Sequence, residues 1–202
     1  MLIREVMTTP VVTIAPRATV RQAIRVLHEH DVTAAPVVGD DGRMVGIVSE
    51  MDLLRGAFEA DPRAFARPVR AASEPPPPRV EDVMTTEVRT ARPNSDAAAL
   101  ADMMIETGIK SVPVLDGTAL AGIVSRRDLI AVLARGDARI HDDVTALLAE
   151  YGEEQRWTVT VEDGIVTLHG RTGESTRRLA DVLARTVPGV TRVTVLDTTG
   201  RP

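Results

Sequence analysis

The sequence predicts an α/β fold of the α+β kind: a βαββα unit present twice, followed by a smaller αββαβ module. Three observations predict it. Val6-Met7-Thr8-Thr9 recurs as Val83-Met84-Thr85-Thr86, and the same offset of 77 residues carries Thr13 to Thr90, Pro16 to Pro93 and Pro36 to Pro113. Further along, Gly46-Ile47-Val48-Ser49 and Asp52 recur as Gly122-Ile123-Val124-Ser125 and Asp128, with the offset shortened by one. The lost residue falls where Gly39-Asp40-Asp41-Gly42 is reduced to Asp116-Gly117, a hairpin turn, where deletions are tolerated. After Gly136 the repeat stops and a different order of elements begins.

Within the first copy, Val20, Ala23, Ile24 and Leu27 fall at i, i+3, i+4 and i+7, the spacing of an amphipathic helix, and Thr19 with Gln22 fits a capping box at its start. In the second copy Asp96 takes the N-cap position, Ala97, Leu100, Ala101 and Met104 form the stripe, and Gly108 is a C-cap candidate. Pro36-Val37-Val38 and Met44 to Val48, joined by an Asp/Gly turn, predict a β-hairpin. A helix from Ser49 to near Gly56 follows. Val112 to Leu115, Leu120 to Val124 and a helix from Ser125 to about Arg135 repeat the pattern.

These patterns divide the chain into a first repeat (1–56), a linker (57–79), a second repeat (80–136) and a C-terminal module (139–199). The linker holds Pro62, Pro68 and Pro75-Pro76-Pro77-Pro78, which favour an extended polyproline form and read as a spacer. In the C-terminal module Ile140, Val144, Leu147, Leu148 and Tyr151 form a helical stripe ended by Gly152. Trp157, Val159 and Val161 alternate with threonines, and Glu162-Asp163-Gly164 turns the chain into Ile165–Leu168. Leu179, Val182 and Leu183 mark a second helix opened by Arg177-Arg178 and stopped by Pro188-Gly189, and Val193 and Val195 mark a last strand.

Composition narrows the function. With 24 Lys plus Arg against 29 Asp plus Glu the net charge is −5, which disfavours general nucleic-acid binding. The four aromatics, Phe58, Phe65, Tyr151 and Trp157, supply no base-stacking platform. The lack of cysteine excludes disulfides, thiolate metal sites and cysteine nucleophiles, and fits a reducing compartment. Met1-Leu2-Ile3-Arg4-Glu5 shows no signal-peptide pattern and no apolar run approaches the roughly 20 residues of a membrane span, so the expected location is the cytoplasm. His28 and His30 stand two apart on a helix and do not face each other, and His141 lacks a second histidine at ligand spacing; no metal site is expected. Met84 and Met103-Met104 read as core. No nucleophile elbow, phosphate-binding glycine loop or triad order stands out, so the chain is expected not to be an enzyme.

The repeat resembles the CBS domain. The residues that carry the resemblance are Val6-Met7-Thr8, Thr13-x-x-Pro16, Ala35-Pro36-Val37 and Gly46-Ile47-Val48-Ser49-x-x-Asp52. The second set is Val83-Met84-Thr85, Thr90-x-x-Pro93, Val112-Pro113-Val114 and Gly122-Ile123-Val124-Ser125-x-x-Asp128. The resemblance implies a tandem pair (a Bateman module) packed about a pseudo-twofold axis, a homodimer of such pairs, and a regulatory adenosyl ligand (AMP, ATP or S-adenosylmethionine) held between the copies. The C-terminal module resembles the BON domain through Val159-x-Val161-x-Asp163-Gly164-x-Val166-x-Leu168-x-Gly170 and Pro188-Gly189-Val190. That family is a small bacterial αβ module with proposed phospholipid or carbohydrate contacts, and the CBS–CBS–BON order is a bacterial arrangement.

Ser49-x-x-Asp52 and Ser125-x-x-Asp128 admit two readings. Each is nearly a capping box and each fits an adenosyl site in which Asp accepts from the ribose hydroxyls. The resemblance implies sites shared across the copies: Asp128, Ser125, Arg126 and Arg127 with Thr13, Val32, Thr33 and Ala34; and Asp52 and Ser49 with Thr90, Ile109, Lys110 and Ser111. Arg126 and Arg127 suit a phosphate, whereas Glu50 in the second group repels one and Lys110 partly offsets it. The nucleotide is therefore expected at Asp128, with the Asp52 site empty or taking an uncharged adenosyl group. Val32, Ala34 and Ala35 offer adenine aliphatic carbon and no stacking, so affinity should be modest. The function expected is a non-catalytic sensor that reports ligand binding to an unknown protein partner through the BON domain. The alternative is a constitutive dimeric scaffold whose BON domain touches a partner or a phospholipid surface.

Overall fold

The computed structural model describes residues 1–55, 63, 79–152 and 156–197. The proline run, Phe58 and Phe65 lie outside them, as does all of the expected linker except Arg63 and Arg79. The chain forms two compact units: one comprises Met7–Pro93 and Thr107–Val124, the other Met1–Val6, Asn94–Glu106 and Ser125–Pro202.

In the first unit, α1 (Val20–Glu29) starts at Thr19, whose hydroxyl accepts from Gln22 N–H while the Gln22 side chain accepts from Thr19 N–H at 2.8 Å. This is the reciprocal cap its sequence spacing predicts. The antiparallel hairpin of β1 (Ala34–Val38) and β2 (Met44–Ser49) pairs Ala34 with Ser49, Pro36 with Ile47 and Val37 with Gly46. The short α2 (Glu50–Leu54) follows directly. Ala23, Leu27, Val37, Val48 and Leu53 make the core with Ile14 and Val80, while Ile24, on the edge of the apolar stripe, is 39% exposed. The second repeat contributes β3 (Ser111–Asp116) and β4 (Ala119–Ser125), paired through a turn in which Gly117 has φ +61°.

The opening strand expected in each βαββα unit is reduced to a single bridging residue. Ile14 N–H donates to Pro36 O and Val38 N–H to Ile14 O; Ala91 is held in the same way between Pro113 and Leu115.

The repeated Val-Met-Thr segments cross between copies. Thr85 exchanges hydrogen bonds with Ile47 on β2, both 2.9 Å, and Thr8 exchanges them with Ile123 on β4, at 2.8 and 3.2 Å. Glycine permits this approach. A Cβ at Gly46 would lie 2.8 Å from the Met84 sulfur and 2.8 Å from the Thr85 carbonyl oxygen. A Cβ at Gly122 would lie 2.6 Å from the Met7 sulfur. The repeated methionines and the repeated glycines are thus two halves of one contact.

In the second unit, α3 (Ala97–Thr107, all but its last residue here) buries Ala97, Leu100 and Met104, and Asp96 Oδ1 accepts from Ala98 N–H at its start. Gly108, with φ +74°, ends the helix where a C-cap glycine is expected. Next come α4 (Arg126–Leu133) and the BON-like elements α5 (Asp137–Glu150), β5 (Trp157–Glu162), β6 (Ile165–Gly170), α6 (Glu174–Thr186) and β7 (Arg192–Asp197). β6 lies between an antiparallel β5 and a parallel β7, so α6 is a βαβ crossover. Asp137 fastens α5 to the β5–β6 turn: its carboxylate accepts from Asp163 N–H and Gly164 N–H, both 2.9 Å. Both turn residues have positive φ, the type I′ geometry that Asp-Gly favours.

Ile140, Val144, Leu148, Trp157, Val166, Leu168, Leu183 and Val193 share one core. Two sequence expectations fail there. The buried stripe of α6 is Ala180, Leu183, Ala184 and Val187, at i, i+3, i+4 and i+7; the two alanines permit close packing and turn Leu179 and Val182 toward solvent. Tyr151 is the C-cap residue of α5, past its last inward position, and is 55% exposed. Arg177 and Arg178 lie inside α6, which opens at Glu174.

The glycine contacts predict unequal costs for the same substitution. Gly46→Ala should lower stability by about 1–3 kcal/mol, because the new methyl meets a carbonyl oxygen already committed to a backbone bond. Gly122→Ala, whose three nearest contacts are all side-chain atoms of Met7, should cost less. Chemical denaturation of the two variants checks the order.

Candidate ligand-binding site

The hairpin register sets one wall of a cavity in the first unit. Pairing of Ala34 with Ser49 continues into a bond from Glu50 N–H to Thr33 O at 3.0 Å, so Thr33 and Ala34 stand beside the start of α2. The second wall is the crossing segment. It is held to β2 at Thr85 and to β3 at Ala91, and Thr85, Glu87, Val88 and Arg89 line the cavity between those anchors. The third wall is Gly108 to Ser111, the approach to β3. The cavity has a volume of about 270 Å³, at the small end of small-molecule sites.

Its interior combines the aliphatic groups of Ala34, Ile47, Val88 and Ile109 with hydroxyls of Thr33, Ser49, Thr85 and Ser111. Ser111 is buried, Ser49 and Asp52 are half-buried, and Glu50, Glu87, Arg89 and Lys110 are exposed at the rim. Asp52 Oδ2 accepts from Ser49 N–H at 2.9 Å and from the Ser49 hydroxyl at 2.7 Å. The cap reading of Ser49-x-x-Asp52 is therefore real, and both bonds end on one carboxylate oxygen. A carboxylate has lone pairs on both oxygens, so Oδ1 retains acceptor capacity.

Of the residues grouped with Asp52 from the sequence, Ser49, Ile109, Lys110 and Ser111 line this cavity with it, and Thr90 does not; its neighbour Arg89 does. Thr33 and Ala34, grouped with Asp128 from the sequence, line it as well. Val32 packs on the core of the first repeat, and Thr13 is exposed beside Ile14. Ser125, Arg126, Arg127 and Asp128 belong to the other unit. There Asp128 Oδ2 accepts from Ser125 N–H and the Ser125 hydroxyl, both 2.6 Å, and Asp128 N–H donates back to that hydroxyl at 3.4 Å. Arg126 is exposed and its Nη2 makes a long 3.4 Å bond to Met104 O.

Thr85, Glu87, Val88 and Arg89 were not read as site residues from the sequence. The available signal was the repeat itself: Val-Met-Thr needs a partner for its backbone, and the Gly-Ile-Val edge offers one. Among the described residues no group of three or more His, Asp or Glu side chains is placed to hold a metal ion, and no helix is long and apolar enough to cross a membrane.

The CBS domain family matches residues 3–59 and 80–135. The chain belongs to the CBS-domain family. The BON domain family matches residues 136–196, so a tandem CBS pair is followed by a BON domain. The uncharacterized protein MJ1404 of Methanocaldococcus jannaschii is 31% identical over 135 residues, which are 65% of this chain and 32% of that protein; the chain thus spans about a third of that relative's length. The crystal structure of CBSX2 in complex with AMP is 26% identical with a TM-score of 0.52, covering 64% of this chain and 93% of that one. The CBS domain pair of protein MJ0100, in complex with 5-methylthioadenosine and S-adenosyl-L-methionine, shares the fold at 24% identity and a TM-score of 0.53, covering 65% and 94%.

The caps predict a ligand-independent cost. Ser125→Ala should destabilise the chain by about 0.5–2 kcal/mol through loss of the α4 N-cap, as measured by urea denaturation without any ligand.

Proposed function

We propose that this CBS–BON protein is a non-catalytic cytoplasmic sensor that binds an adenosyl ligand in the cavity at Asp52. The observation that carries the reading is the cavity itself: a nucleoside-sized, largely aliphatic space with hydroxyls on its walls and a half-buried carboxylate at the head of α2. Asp52 Oδ1 accepts from a ribose hydroxyl while Oδ2 keeps the helix cap. Adenine lies on Ala34, Ile47 and Ile109. Among the described residues no aromatic side chain lines the cavity, so binding is modest. CBS pairs of known structure hold AMP or methylthioadenosine and S-adenosylmethionine, which supports the ligand class. In the other unit, Arg126 and Arg127 stand beside the Ser125–Asp128 cap and suit a phosphate.

Ligand binding in such a module regulates only through different affinities for two packings. The BON domain is the element that reports the change to a partner. A second reading, a constitutive homodimeric scaffold, draws on exposed apolar side chains on α3 and α4: Ile105, Ile130 and Leu133 are 64–77% exposed.

Thermal denaturation with adenosine, AMP, ATP and S-adenosylmethionine separates the two. A sensor gains about 2.7 kcal/mol at a hundredfold excess of ligand over Kd, and Asp52→Asn, which keeps an acceptor for the cap, abolishes the gain. No stabilisation by any of the four in the wild type favours the scaffold.

A further inference from the structure

The two repeats share the bonds from serine to the aspartate carboxylate at their helix starts but place opposite charges between them. Ser49-Glu50-Met51-Asp52 stands where the second copy has Ser125-Arg126-Arg127-Asp128. The aspartates accept the same two bonds from the same serine in both copies. Position 50 is therefore free to vary without loss of the cap, and in this chain it is acidic at the copy whose cavity is formed within one compact unit.

We infer that Glu50 is a specificity-determining residue: it makes the Asp52 cavity select an adenosyl compound with an unphosphorylated 5′ substituent over a nucleotide. The inference rests on the proposed adenosyl site and says which member of the class it takes. Among the described residues the charged groups lining the cavity are Glu50, Asp52 and Glu87 against Arg89 and Lys110, a balance of one negative charge. Asp52 is held at the cap, and the other four are exposed at the rim, where a 5′ substituent emerges. A phosphate monoester brings nearly two negative charges to that rim. A thioether or hydroxyl at the same place brings none and needs no counter-ion. The volume of about 270 Å³ accommodates a nucleoside body.

Calorimetric titration of the full chain with 5-methylthioadenosine and with AMP, at low ionic strength where rim charges act, tests the assignment. Cavity binding is the component that Asp52→Asn removes, which separates it from any site at Asp128. The wild-type cavity should bind methylthioadenosine at least about tenfold more tightly than AMP, a difference of about 1.4 kcal/mol. Glu50→Gln should narrow that ratio, and Glu50→Arg, the residue of the second copy, should narrow it further or invert it. Equal affinities in the wild type, or a ratio that neither variant changes, would overturn the role of Glu50 while leaving the adenosyl site standing. Failure of both compounds to bind the wild type would remove the site and this inference together.

Discussion

The bare backbone of Gly46 and Gly122 is the constraint on which the first unit depends. Each glycine lets a methionine from the other copy lie across a hairpin edge, and each methionine brings with it a threonine that completes the edge with two backbone bonds. Unpaired N–H and C=O groups on β2 and β4 are satisfied in this way. The consequence reaches the cavity. The segment that begins at Thr85 runs on through Glu87, Val88 and Arg89 as a wall, so the contact under Met84 holds the site in shape from outside it.

The site also reuses a structural device as a chemical one. Ser49 and Asp52 would be present in a protein that bound nothing, because they terminate a helix. The carboxylate has a second oxygen, and Asp52 is one of the residues that line the cavity. In the proposed site a helix cap and a ligand acceptor share one residue, each on its own carboxylate oxygen. Such economy explains why the tetrapeptide is uninformative alone: the same atoms satisfy both readings.

Much of this architecture was legible in the sequence, for local reasons. The helix caps at Thr19 and Asp96, the glycine after α3 and the Asp163-Gly164 turn all follow from residue chemistry within a few positions. The duplicated motif carried the fold and its family. What escaped was non-local. The bonds of Thr8 and Thr85 join positions far apart in the chain, and a single bridging residue such as Ile14 leaves no alternating pattern to read. The burial of α6 followed its alanines rather than its larger aliphatics, since close packing on a sheet rewards small side chains. At the site, the grouping of Ser49 and Asp52 with Ile109, Lys110 and Ser111 coincides with the cavity lining. Thr33 and Ala34 join them because hairpin register makes them neighbours of Ser49, a geometric fact that motif spacing does not express.

The crossed threonine bonds bear on how such a chain arose. The β2 edge and the β4 edge are each closed by a residue of the other repeat. A single ancestral copy would have carried both an open edge and the segment that fits one, but not in positions to satisfy itself. Two such chains would have satisfied each other, exchanging identical segments across a twofold axis. Two copies on one polypeptide make that exchange intramolecular. The freedom gained was asymmetry: once both copies lay on one chain, position 50 and position 126 no longer had to carry the same charge.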